Sequence, residues 1–280
     1  MPANDDPRGS VVEASLAPRG HRGYASANGV RHSYLDYGEG DSAVIIVPGI
    51  TSPAATWDFV AVELARHRRV ITLDVRGRGY SDKPLGGYTL PSYAMDVVGV
   101  AQELNLERPV VLGHSMGARI AGAVGALHPD FASSLIIVDP PLTGPGRDPY
   151  PTSVENFKEQ LAEGYRGTTI EEIRRFYPRW SDRELQLRCD WLPSCDAYAV
   201  VETHRNFDIE DFFVYWSGLT QPTLFIYGEQ SPAVTPAGVV DIKNANPAAS
   251  LSGIPNAAHM IPWENFDDFI AAVETFLGSS

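Results

Sequence analysis

A chain of 280 residues, 44% hydrophobic and 10% aromatic, can bury the core of one α/β domain that carries an insertion, and it is too apolar to remain disordered. Its formal charge of -13 repels phosphate backbones and anionic lipid, which argues against nucleic acid and membrane surfaces as partners. A small anionic substrate is compatible with that charge, because a few arginines in a dry pocket outweigh a distant, salt-screened field.

Residues 1–22 mix Pro, Gly, Asp and Arg without apolar period and read as a flexible tail. They lack the apolar centre of a signal peptide, and no later run approaches the roughly 18 apolar residues of a membrane helix, so the expectation is a cytoplasmic protein. Tyr24 to Ala27 and Val30 to Tyr37 flank Asn28-Gly29, a hairpin signal because both turn positions need positive φ.

Short apolar runs then alternate with helical stretches. The runs are Ala43 to Val47, Val70 to Leu73, Val110 to Leu112, Leu135 to Val138 and Thr223 to Tyr227, each suited to a strand buried on both faces of a parallel sheet. Asp58 to Arg66, Pro91 to Leu104 and Ala118 to His128 read as the crossover helices between them. From 140 to 218 the rhythm breaks into charged, aromatic, helical segments such as Ser153 to Gly164, Ile170 to Phe176 and Asp182 to Trp191. This stretch reads as an inserted helical cap, leaving 23–139 and 219–280 as the core. It carries the two cysteines, Cys189 and Cys195, too few for a disulfide scaffold and without zinc-site spacing, so reduced thiols and no metal are expected. The alternation resumes with Thr235 to Ile242 and Ala249 to Leu251 before a final helix from Phe266 to Leu277.

Chemistry concentrates at the ends of the apolar runs. Gly113-His114-Ser115-Met116-Gly117 stands between a buried run and a small-residue helix, where the glycines admit a tight turn that projects the Ser115 hydroxyl at a helix N-terminus. Ser115 is the expected nucleophile. Val47-Pro48-Gly49-Ile50-Thr51 lets the backbone turn inward after the preceding run, so the N–H groups of Ile50 and Met116 are the expected oxyanion hole. Asn256-Ala257-Ala258-His259 supplies the expected base in a loop before the terminal helix. For the acid, Gly228-Glu229-Gln230-Ser231 has a serine where a carboxylate is usual after such a strand, and a neutral hydroxyl cannot stabilise an imidazolium. Asp139, ending the Leu135 to Val138 run at the ligand-binding edge, is the expected acid, with Glu229 as the alternative.

These stretches together resemble the N-formylmaleamate deformylases of bacterial nicotinic acid breakdown, within the α/β-hydrolase superfamily. Narrow motifs carry the resemblance, Pro48-Gly49-Ile50-Thr51-Ser52-Pro53, Asp139-Pro140-Pro141 and Gly144-Pro145-Gly146-Arg147, beside the stretch Ala258-His259-Met260-Ile261-Pro262-Trp263 and the widely shared elbow at Ser115. The resemblance implies an α/β-hydrolase fold, a mostly parallel sheet covered by helices on both faces. It implies an acid after the strand that follows the elbow helix, which matches Asp139. It also implies a small unsaturated dicarboxylate-like amide as substrate, cleaved without metal or organic cofactor. A carboxylate on that substrate calls for guanidinium. Of Arg147, Arg174, Arg175, Arg179, Arg183 and Arg188, Arg147 follows the Asp139 run in a Gly-Pro-Gly turn, and Arg188 lies in a stretch that also looks like the deformylase. These two are the expected substrate-binding residues. The alternatives left open are another hydrolase of this fold (an acylaminomethylene-succinate hydrolase, a carboxylesterase or a carbon–carbon bond hydrolase) and a ligand receptor built on a hydrolase scaffold. Oligomeric state is not legible.

Overall fold

In the computed structural model, which describes residues 17–278, eight strands form one sheet in the order β1-β2-β4-β3-β5-β6-β7-β8. β1 (His21–Ala27) and β2 (Val30–Tyr37) are the antiparallel hairpin, closed by Asn28 and Gly29 at φ 52° and 71°, the left-handed pair that a two-residue hairpin turn demands. β2 pairs antiparallel with β4 (Arg69–Leu73). From there the ladder is parallel through β3 (Ala43–Val47), β5 (Val110–His114), β6 (Ser134–Val138), β7 (Thr223–Gly228) and β8 (Ser250–Ile254).

The central strands are apolar along their length because both faces are covered. Along β5 and β6 alternate side chains serve different cores: Val111, Leu135 and Ile137 join one cluster, Leu112 and Ile136 the other. The first core packs beneath α2 (Leu90–Glu103) and α3 (Met116–Leu127); the second beneath α1 (Asp58–Leu64) and a C-terminal helix at Phe266–Gly278. Fully burying each Leu, Ile or Val contributes about 1.5–3 kcal/mol, so these two clusters hold the sheet rigid enough to aim side chains at its edge.

The expected tail is shorter than 22 residues where it can be followed. Residues 1–16 lie outside the described residues, whereas His21 already pairs with Asp36 in the hairpin, and the Arg22 guanidinium donates to Ser33 Oγ at 2.6 Å and to Asp74 Oδ2 at 3.2 Å. The His-Arg-Gly start of β1 has no apolar alternation; its order comes from backbone pairing and that ion pair.

Between β6 and β7 the chain forms α4 (Val154–Tyr165), α5 (Ile170–Arg174), α6 (Asp182–Trp191), α7 (Ala197–Ile209) and α8 (Phe212–Trp216). Side-chain caps start them: Ser153, Thr169, Ser181, Asp196 and Asp211 each accept a first-turn N–H. Phe157, Leu161, Ile173, Leu185 and Phe207 from these helices belong to the same core as α2 and α3, so the insertion is packed onto the sheet domain without a break in apolar contact. The chain then makes α9 (Pro236–Ala245), a short α10 (Ile261–Glu264) and the C-terminal α11 (Phe266–Gly278). Among the described residues no helix is long and apolar enough to cross a membrane.

Candidate active site

Three parallel strands end side by side and deliver the site. At the end of β5, Ser115 takes φ 56° and ψ -118°, a strained conformation for a residue with a Cβ, costing on the order of 1–3 kcal/mol. Packing enforces it: a Cβ on Gly117 would stand 1.8 Å from the Val47 carbonyl oxygen, and one on Gly113 2.0 Å from that of Gly117. Only glycine lets β3, β5 and α3 approach closely enough to make the turn. The Ser115 N–H stays in register, donating to the Val138 carbonyl at 2.8 Å.

One strand over, Asp139 repeats the device. Its φ is 46°, and its N–H donates to the Ile226 carbonyl of β7 at 2.8 Å. The carboxylate is completely buried and fully bonded. Oδ1 accepts the Gly228 N–H at 3.1 Å, while Oδ2 accepts the Ser231 hydroxyl at 2.5 Å and meets His259 Nδ1 at 2.7 Å. Ser231, which occupies the usual acid position, thus orients the acid of the neighbouring strand. Glu229 is exposed.

His259 lies in the loop between β8 and α10. Its Nε2 is 3.0 Å from Ser115 Oγ, completing a hydroxyl–imidazole–carboxylate chain. The loop is pinned on several sides: Ala258 N–H donates to Glu264, Gln230 N–H to the Ala257 carbonyl, and His114 Nε2 to the His259 carbonyl at 2.8 Å. Burial, with His259 adding to it, pushes the His114 imidazole down to about 3, so His114 stays neutral and adds no charge beside the base. Sequence reasoning gave His114 no role; its place before the nucleophile carried no signal of this bond.

Met116 opens α3, where first-turn N–H groups have no intrahelical acceptor. Ile50 follows β3 and lines the cavity onto which Ser115 opens. The cavity is about 330 Å³ and is lined by Ile50, Ser115, Tyr150, Gln160, Arg188 and His259, among others.

The two expected substrate arginines part company. Arg147 does not line this cavity. It pairs with Asp211 at 3.4 Å and Asp241 at 3.8 Å, lies over the Phe213 ring, and borders a neighbouring cavity instead; the Gly144 to Gly146 turn directs it away from Ser115. Arg188 does line it, at 2% exposure. Its guanidinium donates to the Thr51 carbonyl, to Thr51 Oγ1 at 2.9 Å and to Gln160 Oε1 at 3.3 Å, and its Nε has no hydrogen-bond partner among the described residues. The other candidate arginines are paired: Arg174 with Asp182, Arg175 with Glu163, Arg179 with Glu264 and Arg183 with Asp58. Among the described residues Arg188 has no carboxylate partner. Burying a guanidinium without a counter-charge costs several kcal/mol, and an anion in the cavity would offset that cost.

Comparison with known proteins places the chain among α/β hydrolases. A family model described as the alpha/beta hydrolase fold matches residues 42–266. N-formylmaleamate deformylase of Pseudomonas putida (strain KT2440) is 38% identical over 256 residues, 91% of this chain and 96% of that protein. The 2-(acetamidomethylene)succinate hydrolase of Mesorhizobium japonicum is 26% identical over 82% of this chain and 85% of its own length. Among solved structures, the N-formylmaleamic acid deformylase of Pseudomonas putida S16 superposes with a TM-score of 0.86 at 38% identity, covering 90% of this chain and 100% of that one.

Proposed function

The chain belongs to the α/β-hydrolase fold family, and from that premise we propose that it is a serine hydrolase removing the formyl group of N-formylmaleamate, with formate and maleamate as products. The observation that carries the substrate class is Arg188, a buried cation that among the described residues has no carboxylate partner, in the cavity that also holds the Ser115 hydroxyl. The 38% identical deformylase supports the choice of acyl group.

In this reading Ser115 Oγ attacks the formyl carbon while His259 Nε2 takes its proton, and the Asp139 carboxylate holds the ring in the tautomer that leaves Nε2 free. The N–H groups of Ile50 and Met116 receive the oxyanion, at roughly 3 kcal/mol per donor. Collapse of the adduct expels the nitrogen, which takes a proton from His259. Water then hydrolyses the formyl-enzyme by the same steps in reverse order of roles. Arg188, with Gln160 and Thr51 beside it, binds a substrate carboxylate and fixes the amide in reach of Ser115. A cytoplasmic setting is part of the same proposal, supported by the two unpaired cysteines, Cys189 and Cys195.

The test is competitive: purified protein is given N-formylmaleamate, 2-(acetamidomethylene)succinate and p-nitrophenyl acetate, and formate, acetate and p-nitrophenol are quantified. Formate release at a kcat/KM far above the other two is expected. Preferential acetate release from the succinate derivative would overturn the reading.

A further inference from the structure

The triad mechanism has no use for Tyr150, yet its hydroxyl reaches the base. Tyr150 sits in Pro149-Tyr150-Pro151 between β6 and α4. Its ring is held on both sides, parallel to Phe157 at 6.4 Å between centroids and edge-on to Phe207 at 5.4 Å. Its hydroxyl is 3.1 Å from His259 Nε2, the nitrogen that Ser115 Oγ approaches at 3.0 Å.

Two hydroxyls therefore converge on one nitrogen. With Nδ1 bonded to the Asp139 carboxylate, the neutral ring carries its proton on Nδ1, so Nε2 offers a single in-plane lone pair. Ser115 must donate to that lone pair in order to be activated, which leaves the Tyr150 proton available to another acceptor. Burial raises the phenol above its ordinary value, with the Ser115 hydroxyl the largest influence in the other direction; Tyr150 is therefore a neutral donor at neutral pH. It also lines the cavity, so a bound substrate atom next to Nε2 is next to the phenol as well.

We infer that Tyr150 is a catalytic residue for nitrogen leaving groups: its phenol donates a hydrogen bond to the amide nitrogen as the carbon–nitrogen bond breaks. This deepens the deformylase reading and rests on it. When the tetrahedral adduct collapses, the electron pair of the broken bond goes to nitrogen and the His259 imidazolium gives that nitrogen its Nε2 proton. Tyr150 keeps its own proton throughout. Its hydrogen bond stabilises the negative charge that builds on nitrogen before transfer from His259 is complete. A p-nitrophenolate leaving group is a weak base that departs as the anion, and draws far less on such a donor.

Tyr150→Phe keeps the ring and its stacking, so the experiment compares this variant with the parent on N-formylmaleamate and on p-nitrophenyl acetate. The expected result is a fall in kcat/KM of about tenfold or more on the amide and under about threefold on the ester. Equal losses would mark a packing role and overturn the inference, as would undiminished amide turnover. If the parent enzyme releases no formate from N-formylmaleamate, the deformylase reading itself has failed and the inference falls with it, an outcome distinct from the other two. Should the variant unfold, 3-fluorotyrosine at position 150 keeps shape and hydroxyl while making the phenol more acidic; a changed kcat on the amide with an unchanged one on the ester is expected, and no change on either would overturn the inference.

Discussion

The carboxyl edge of the sheet and the helical segment above it are built on different principles. At the edge, main chain does the positioning: Ser115 and Asp139 both take positive φ, each N–H is tied to the next strand, and Gly117 lies where any Cβ would collide with Val47. In the helical segment, long side chains do it. Arg183 reaches Asp58 at 3.0 Å, Arg179 reaches Glu264 at 2.9 Å, and Arg188 reaches Thr51. Ser115 and Asp139 thus rest on backbone geometry that few substitutions spare, whereas the helical segment is tied to the sheet domain through guanidinium groups that a single substitution removes.

Substitutions at the edge and in the insertion should therefore differ in kind. Ser115→Ala should lower kcat by roughly 10⁵-fold with an unchanged unfolding midpoint, read by formate release and thermal denaturation; turnover within tenfold of the parent would dismantle the edge half of the contrast. Arg188→Ala should act on binding instead, raising KM for an anionic amide by about 10²-fold or more and leaving a neutral ester within about threefold, since a buried charge pair is worth several kcal/mol. Equal effects on both substrates would remove Arg188 from carboxylate recognition. A smaller effect is expected where the edge does rely on a side chain: Ser231→Ala removes one donor from Asp139, at about 1.5–3 kcal/mol for a hydrogen bond to a charged group, and should reduce kcat about tenfold with little change in KM. The smallest effect is on stability. Between 6.5 and about 3 the folded His114 holds fewer protons than the unfolded chain, so it contributes a loss of stability on acidification of about 1.4 kcal/mol per pH unit. His114→Gln should remove that slope, flattening the fall in unfolding free energy measured by urea titration between about pH 6 and pH 5.

The same contrast explains what could be read before any coordinates. Strand ends, elbow and base were legible because each is a local pattern: an apolar run, a Gly-x-Ser-x-Gly turn, a histidine ahead of the last helix. Asp139 was legible from its place at the end of such a run. Arg147 and Arg188 were not separable in sequence, for both sit near chemistry-bearing residues and only the folded path of the insertion turns one into the cavity and the other toward Asp211. Tyr150 gave no signal, since a tyrosine between prolines is commonplace on a surface loop. Ser231 was seen only as a missing carboxylate. Its bond to Asp139 spans 92 positions, a separation at which no periodicity speaks. The beginning of β1 was misjudged because composition does not report an ion pair such as Arg22 with Asp74.

The meeting of Ser231 and Asp139 at one oxygen bears on how related chains are found and compared. An imidazole responds to where negative charge stands in space and is indifferent to which strand tip delivers it. Two adjacent tips here reach the same point, so the acid's rank along the polypeptide is free to drift while its location does not. A search that insists on a carboxylate after the seventh strand would discard this chain as inactive; one that asks which carboxylate a folded histidine can touch would keep it.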